Sequence, residues 1–165
     1  MNAVAEFEKV PFHIYRQKRY GWEDEPCRKE YRDIPLPQRA TEGSAGYDFY
    51  APFSFDVIPD KPILIPTGIR CKIDEGWFLA IYPRSGSGFM KGLALRNTVG
   101  IIDSDFYNSD SMGHIMLMLT TEEGIHFNKG DRFAQGIFMP FGTTVNDEVI
   151  TEKRTGGFGS TDEKK

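Results

Sequence analysis

The sequence predicts an all-β protein, a barrel or jelly-roll-like sandwich with little helix, on three observations. Its apolar runs are short; 17 glycines and 10 prolines punctuate the 165 residues; and several runs alternate apolar and polar residues with the period of a strand. This length suits one domain with a sizeable core. That domain is expected over residues 1–150. The polar, glycine-rich stretch 151–165 reads as a mobile arm.

Taken in order, residues 6–10 suit an edge strand stopped by Pro11. The segment 12–33 is aromatic and charged with no clean period. Phe12, Tyr15 and Tyr20 suit a short helix lying on the surface, an irregular segment suits the composition equally, and Trp22 and Tyr31 are candidate contacts to another subunit. Two glycines in ATEGSAGYDFYAP then turn the chain into a short strand at 47–50. Residues 63–65 form a strand halted by Pro66. Over 67–73, Ile69, Cys71 and Ile73 share one face against Arg70 and Lys72 on the other. The turn Asp74-Glu75-Gly76 leads into 77–82, a nearly continuous apolar run and so a strand covered on both faces. Glycines at 86, 88 and 92 argue against a stable helix after Pro83. Residues 93–95 and 99–102 then flank Arg96-Asn97-Thr98 as arms of a hairpin-like loop. Strands follow at 114–120 and, after the turn 128–131, at 132–141.

Composition narrows the function. A net charge of −4 argues against a dedicated nucleic-acid binder. No run of eighteen apolar residues predicts a membrane span, and MNAVAEFEKV lacks the basic and apolar blocks of a secretory signal. Cys27 and Cys71 lack CxxC spacing, which points to a reducing, cytoplasmic setting. His13, His114 and His126 lack metal-ligand spacing, so a protein-ligated zinc is not expected.

Three clusters carry possible chemistry. Arg84-Ser85-Gly86 puts a guanidinium fork, a hydroxyl and backbone N–H groups in one turn, a set that suits phosphate oxygens and equally suits an ordinary turn. Gly100-Ile101-Ile102-Asp103 brings a carboxylate to the end of an apolar strand. A partly desolvated carboxylate there can activate water, with Asp105 on the same face if the strand continues; the plain alternative is a solvated turn. RTGGFGST (154–161) surrounds Phe158 with glycines between Arg154 and the hydroxyls of Ser160 and Thr161. Such a segment can fold over a ligand, or can be a plain tail; it lacks the lysine of a P-loop.

Together with ATEGSAGYDFYA (40–51) and KGDRFAQ (129–135), the segments YPRSGSG (82–88), NTVGIIDSDF (97–106) and RTGGFGST resemble, in order, the five motifs of the trimeric dUTP pyrophosphatases (dUTPases). The likeness runs from about residue 34 to residue 161. It implies a jelly-roll-like β barrel, a homotrimer with active sites at its interfaces, and hydrolysis of dUTP to dUMP and pyrophosphate with Mg²⁺ on the triphosphate. Asp103 matches the catalytic aspartate. Arg84, Ser85 and Gly86 match the phosphate-holding motif. Asn97 and the backbone of Gly100, Ile101 and Ile102 match the uracil-reading hairpin. Asp48 and Gln135 match side chains that reach the metal's waters. Arg154, Phe158, Ser160 and Thr161 match an arm closing over a neighbouring site.

The chain departs from the pattern in places. Phe106 stands where the family usually has the tyrosine that packs on deoxyribose, and Tyr107 follows it. The common Tyr-Arg-Gly-Glu continuation is replaced by the longer loop 107–114, the fifth motif is one residue shorter than its commonest form, and 12–33 is insertion-like. These features suggest a bacterial or bacteriophage branch. The alternatives are a dCTP deaminase-like enzyme or a nucleotide-dependent regulatory module docking a protein partner through 12–33 or 107–114.

Overall fold

In the computed structural model, residues 2–19 and 24–147 are described. Five antiparallel strands form the largest sheet: in spatial order β2 (Gln38–Arg39), β3 (Tyr47–Tyr50), β12 (Arg132–Pro140), β7 (Trp77–Pro83) and β9 (Gly100–Ile102). β7 and β12 pair over seven residues. The apolar centre of β7, Leu79-Ala80-Ile81, is essentially inaccessible, and burying Leu79 and Ile81 contributes about 1.5–3 kcal/mol each. A second sheet has the order β5 (Ile63–Pro66), β10 (Met116–Thr120), β8 (Ala94–Leu95). Two ribbons complete the set: β1 (Ala5–Lys9) with β6 (Ile69–Ile73), and β4 (Phe55–Val57) with β11 (Ile125–Phe127). Phe49, Ile65, Leu79, Leu119 and Phe133 meet in one core between them. This is the all-β, jelly-roll-like architecture expected. No helix among the described residues is long and apolar enough to cross a membrane.

The segment 12–33 differs from expectation. It folds as two helices, α1 (Phe12–Gln17) and α2 (Asp24–Asp33), and it enters the core instead of lying on the surface. Tyr15 and Cys27 are fully buried and belong to the core cluster. Glu30 is also buried. Its carboxylate accepts hydrogen bonds from the Tyr15 hydroxyl and from Arg19 Nε and Nη2, at 2.8 and 2.9 Å for the arginine. Removing one member of such a buried pair typically costs about 3–5 kcal/mol, so this polar joint locks α1 to α2. Tyr20 and Trp22 lie outside the described residues.

Three further expectations are corrected. A short helix, α3 (Ser85–Lys91), follows Pro83 despite its glycines. Their cost, roughly 1 kcal/mol each, is offset at the ends. Gly92 adopts the left-handed conformation of a C-cap (φ 62°), and the Thr121 hydroxyl donates to the Lys91 carbonyl at 2.7 Å. The supposed hairpin arms 93–95 and 99–102 diverge: β8 pairs with β10, whereas β9 pairs with β7. Each arm thereby buries its own side chain, Leu95 in one sheet and Ile102 in the other. Finally, β9 stops at Ile102, and a 3-10 helix, Ser104–Asn108, begins after Asp103. Asp103 and Asp105 therefore do not share a strand face.

Candidate active site

The first cluster lies at the Pro83 end of β7. Across three strands, Tyr82 pairs with Gln135 and Gln135 with Asp48, so the three side chains share a face. Between Arg132 and Ala134 the β12–β3 register shifts by a bulge. That extra residue moves Arg132 from the core face to the face of Asp48. Arg132 Nη1 then lies 3.2 Å from Asp48 Oδ2, and Arg84 Nε lies 2.8 Å from Asp48 Oδ1. Asp48, buried, thus holds both guanidinium groups in place. Gln135 Nε2 donates to the Pro83 carbonyl at 3.2 Å. Gly46 makes room for that amide, since a Cβ there would stand 2.7 Å from Gln135 Oε1. Asp48 was expected to face a metal's waters; its partners in the structure are Arg84 and Arg132. Arg132 was not singled out from the sequence. The bulge that turns it toward Asp48 has no mark in KGDRFAQ, although an arginine opening a strand was a usable signal.

Arg84 is the extended N-cap residue of α3, and Ser85 and Gly86 are its first two helical residues, both exposed. Backbone N–H groups at such a start have no partner within the helix. Two guanidinium groups, a hydroxyl and these N–H groups beside one neutralising carboxylate are of the chemical type that suits phosphate oxygens.

The second cluster lies elsewhere. Asn97 and Thr98 are exposed in the turn between β8 and β9, closed by Thr98 N–H donating to the Leu95 carbonyl at 2.8 Å. Thr98 takes a positive φ of 68°. β9 is an edge of its sheet among the described residues, so Gly100, Ile101 and Ile102 present outward backbone groups that a planar base can pair with. Ile101 is half exposed. Asp103 follows, exposed at the start of the 3-10 helix; the partial desolvation expected for it is not a property of the single chain. Phe106 is buried with the core, at 2% exposure. Tyr107 is half-buried beneath the Arg70 guanidinium, 4.4 Å from the ring centroid. The two rings that the sequence left as candidates thus occupy different environments.

The two clusters do not meet within one chain. Ile102 pairs with Leu79 and Gly100 with Ile81, so β9 runs toward the Trp77 end of β7, away from Arg84. The five residue steps from Leu79 to Arg84 span roughly 17 Å of extended chain at ~3.3 Å each. Asp103 stands one residue further off. Nor does a groove of about 630 Å³ among the described residues join them: lined by Val4, Arg39, Tyr47, Trp77 and Phe138, it includes none of Arg84, Ser85, Asn97 or Asp103. Arg154, Phe158, Ser160 and Thr161 fall outside the described residues.

For a divalent metal the first cluster offers oxygen donors only, from Asp48 and Gln135. Among the described residues no group of three His, Cys, Asp or Glu side chains forms a metal cage. Both Asp48 oxygens already meet guanidinium groups, so contact with a metal through its water shell fits better than direct ligation. Cys71 is buried and its thiol is pushed up to about 12 by that burial, which leaves it an inert core side chain.

A family model described as dUTPase matches residues 32–162. The deoxyuridine 5'-triphosphate nucleotidohydrolase of Lactococcus lactis is 45% identical over 132 residues, covering 78% of this chain and 88% of that protein. Its namesake in Actinobacillus pleuropneumoniae serotype 5b is 42% identical over 136 residues, covering 77% and 87%. Among solved structures, the dUTPase from Streptococcus mutans superposes with a TM-score of 0.62 at 31% identity, covering 84% of this chain and 97% of that one. The dUTPase from phage phi11 of S. aureus shares the fold at 19% identity, with a TM-score of 0.58 over 70% and 89% of the two chains.

Proposed function

The chain belongs to the dUTPase family, and from that premise we propose that it hydrolyses dUTP to dUMP and pyrophosphate in sites completed by neighbouring subunits of a homotrimer. The observation that carries the shared site is the position of Asp103 and Arg84 toward opposite ends of β7. Water activation and phosphate binding then come from different chains. Asp103 orients a water molecule and takes its proton as the oxygen attacks the α-phosphorus; the bond to the bridging oxygen breaks, and pyrophosphate departs. Closure by a neighbour supplies the desolvation that the exposed Asp103 lacks in the single chain. Arg84, Ser85 and Gly86 hold phosphate oxygens, and Asp48 fixes Arg84 for that task. Arg154, Ser160 and Thr161 add contacts from the arm 151–165, with Phe158 covering the base; Phe106, buried in the core, is not placed to pack on the deoxyribose.

Uracil is read by Asn97 and by the backbone at Gly100, Ile101 and Ile102. Cytosine reverses the donor and acceptor order on that edge and leaves buried groups unpaired, at about 1–3 kcal/mol each. Asp48 and Gln135 would meet the waters of a Mg²⁺ ion bound with the triphosphate, and such an ion would supply charge neutralisation there. The reaction provides dUMP for thymidylate synthesis and keeps uracil out of DNA, in the cytoplasm.

Pyrophosphate release from dUTP, dCTP, dTTP and UTP, each with Mg²⁺ and with chelator, tests the base, sugar and metal requirements together. Release from dUTP alone, abolished by chelator, is expected. Conversion of dCTP to dUTP with ammonia would instead establish a deaminase.

A further inference from the structure

We propose that Glu8, Arg70 and Tyr107 form a positioning clamp that holds the 3-10 helix beginning at Asp103, a role that rests on the hydrolase reading above. Glu8 on β1 and Arg70 on β6 face each other directly across the antiparallel ladder, so their side chains leave the same side of the ribbon. The 3-10 helix packs on β6. One carboxylate oxygen, Glu8 Oε2, accepts from Arg70 Nε at 2.9 Å, from Arg70 Nη2, and from the Tyr107 hydroxyl at 2.9 Å. The Arg70 guanidinium also lies over the Tyr107 ring. Burial pushes the Glu8 carboxyl upward, yet the hydrogen bonds from Tyr107 and Arg70 and the charge of Arg70 hold it below its ordinary range. It therefore serves as an ionised acceptor.

Tyr107 lies one turn of the 3-10 helix beyond Ser104, the residue next to Asp103, and residues three apart eclipse in such a helix. The opposite side of the turn is held by the buried Phe106. From above, the loop after it closes on the same residue. Gly113, at φ 72°, comes so near that a Cβ would stand 2.9 Å from Tyr107 Cα, and its N–H donates to Ser109 Oγ at 3.3 Å. Asp103 does not cap the helix with its own side chain. As the N-cap residue, Asp103 has its backbone position set by the placement of the helix, and the anchors of that placement are Phe106 in the core and Tyr107 on the ribbon. β1 is itself fastened behind the clamp, because Lys9 Nζ donates to the Tyr31 and Arg32 carbonyls at 3.0 and 2.8 Å and the Tyr31 hydroxyl donates to the Val10 carbonyl at 2.6 Å. The segment 12–33 thereby acquires a part in catalysis at a distance, through β1. None of these groups touches the substrate; they act on Asp103 by position.

The test measures kcat and KM for dUTP, binding of a non-hydrolysable α,β-imido analogue of dUTP, and the thermal midpoint, in the parent and in Tyr107→Phe, Glu8→Gln and Glu8→Ala. Tyr107→Phe keeps the ring under Arg70 and removes only the hydroxyl. It is expected to lower kcat roughly tenfold, because a displacement of about an ångström at a reacting group can cost about a hundredfold and the loss of one hydroxyl shifts the helix by less, while KM and analogue binding stay within about twofold of the parent. Glu8→Gln, which keeps an acceptor for Tyr107, should retain more of kcat than Glu8→Ala. An unimpaired Tyr107→Phe in an active parent overturns the clamp alone, as does a loss in which KM, analogue binding and thermal midpoint deteriorate together with kcat. A parent that releases no pyrophosphate from dUTP overturns the hydrolase reading, and the clamp with it.

Discussion

Asp48 and His114 show how single residues are committed by their surroundings. Asp48 is a carboxylate spent on two arginines, so in the proposed phosphate site it acts through Arg84. His114 is fully buried, its Nε2 accepting from the Gly68 N–H at 3.0 Å, and its Nδ1 has no hydrogen-bond partner among the described residues. Burial, assisted by the charge of Lys18, lowers its pKa from 6.5 to about 4. Between those values the unfolded chain binds a proton there that the folded chain refuses. Stability is therefore full above about pH 6.5, falls as the pH drops and levels off below about 4, a loss of roughly 3 kcal/mol at this site. Urea midpoints measured from pH 7 to pH 4 should fall more steeply for the parent than for His114→Gln, which retains an acceptor for Gly68. Identical slopes would mean that His114 does not carry this dependence.

At the scale of elements, α3 is the piece whose stability is most open to change. Its Gly88 has room for a methyl group: the nearest atom a Cβ would meet, the Leu93 carbonyl oxygen, is 3.5 Å away. Gly88→Ala should stabilise the protein by about 0.5–1 kcal/mol through helix propensity and reduced unfolded-state freedom, read as a higher thermal midpoint. A lower midpoint would argue against a helix at Ser85–Lys91. The same element shows where sequence patterns mislead. Glycine content argued against the helix because its stabilisation is non-local, coming from Thr121 some thirty residues away. α2 was illegible for a related reason: its buried side includes Glu30, whose partners Tyr15 and Arg19 lie outside the helix, so no apolar period marks it. β7, by contrast, was legible at once, being an apolar run bounded by Gly76 and Pro83 and covered on both faces. The hairpin at 93–102 was half legible. The turn at Asn97-Thr98 is present, but two short apolar arms do not say which sheet each will join.

At the scale of the molecule, the strip 82–106 looks like one site in sequence and lies as two separate clusters in space. Local order brings Arg84, Ser85, Asn97 and Asp103 within twenty residues of one another; the antiparallel course of β9 along β7 then carries Asp103 away from Arg84. Residue types were readable from the sequence because phosphate and water chemistry demand them. That Arg84 and Asp103 would stand apart within one chain was not readable from the residues of the strip, since strand direction is a tertiary property. In the proposed homotrimer, rotational symmetry would resolve the separation, because each interface of a closed ring would present one chain's Asp103 to the next chain's Arg84 and Ser85.

Subunit complementation tests that claim most directly. Asp103→Asn and Ser85→Ala are each expected to be nearly inactive alone, the former still binding the imido analogue of dUTP. When the two are mixed in equal amounts, dissociated and allowed to reassociate at random, about a quarter of the sites should pair an intact Asp103 with an intact Ser85 from the neighbouring chain. Pyrophosphate release from dUTP should therefore return to about a quarter of the parent rate. A reassociated mixture as inactive as its two components would contradict the shared site and place Asp103 and Ser85 in the service of the same chain.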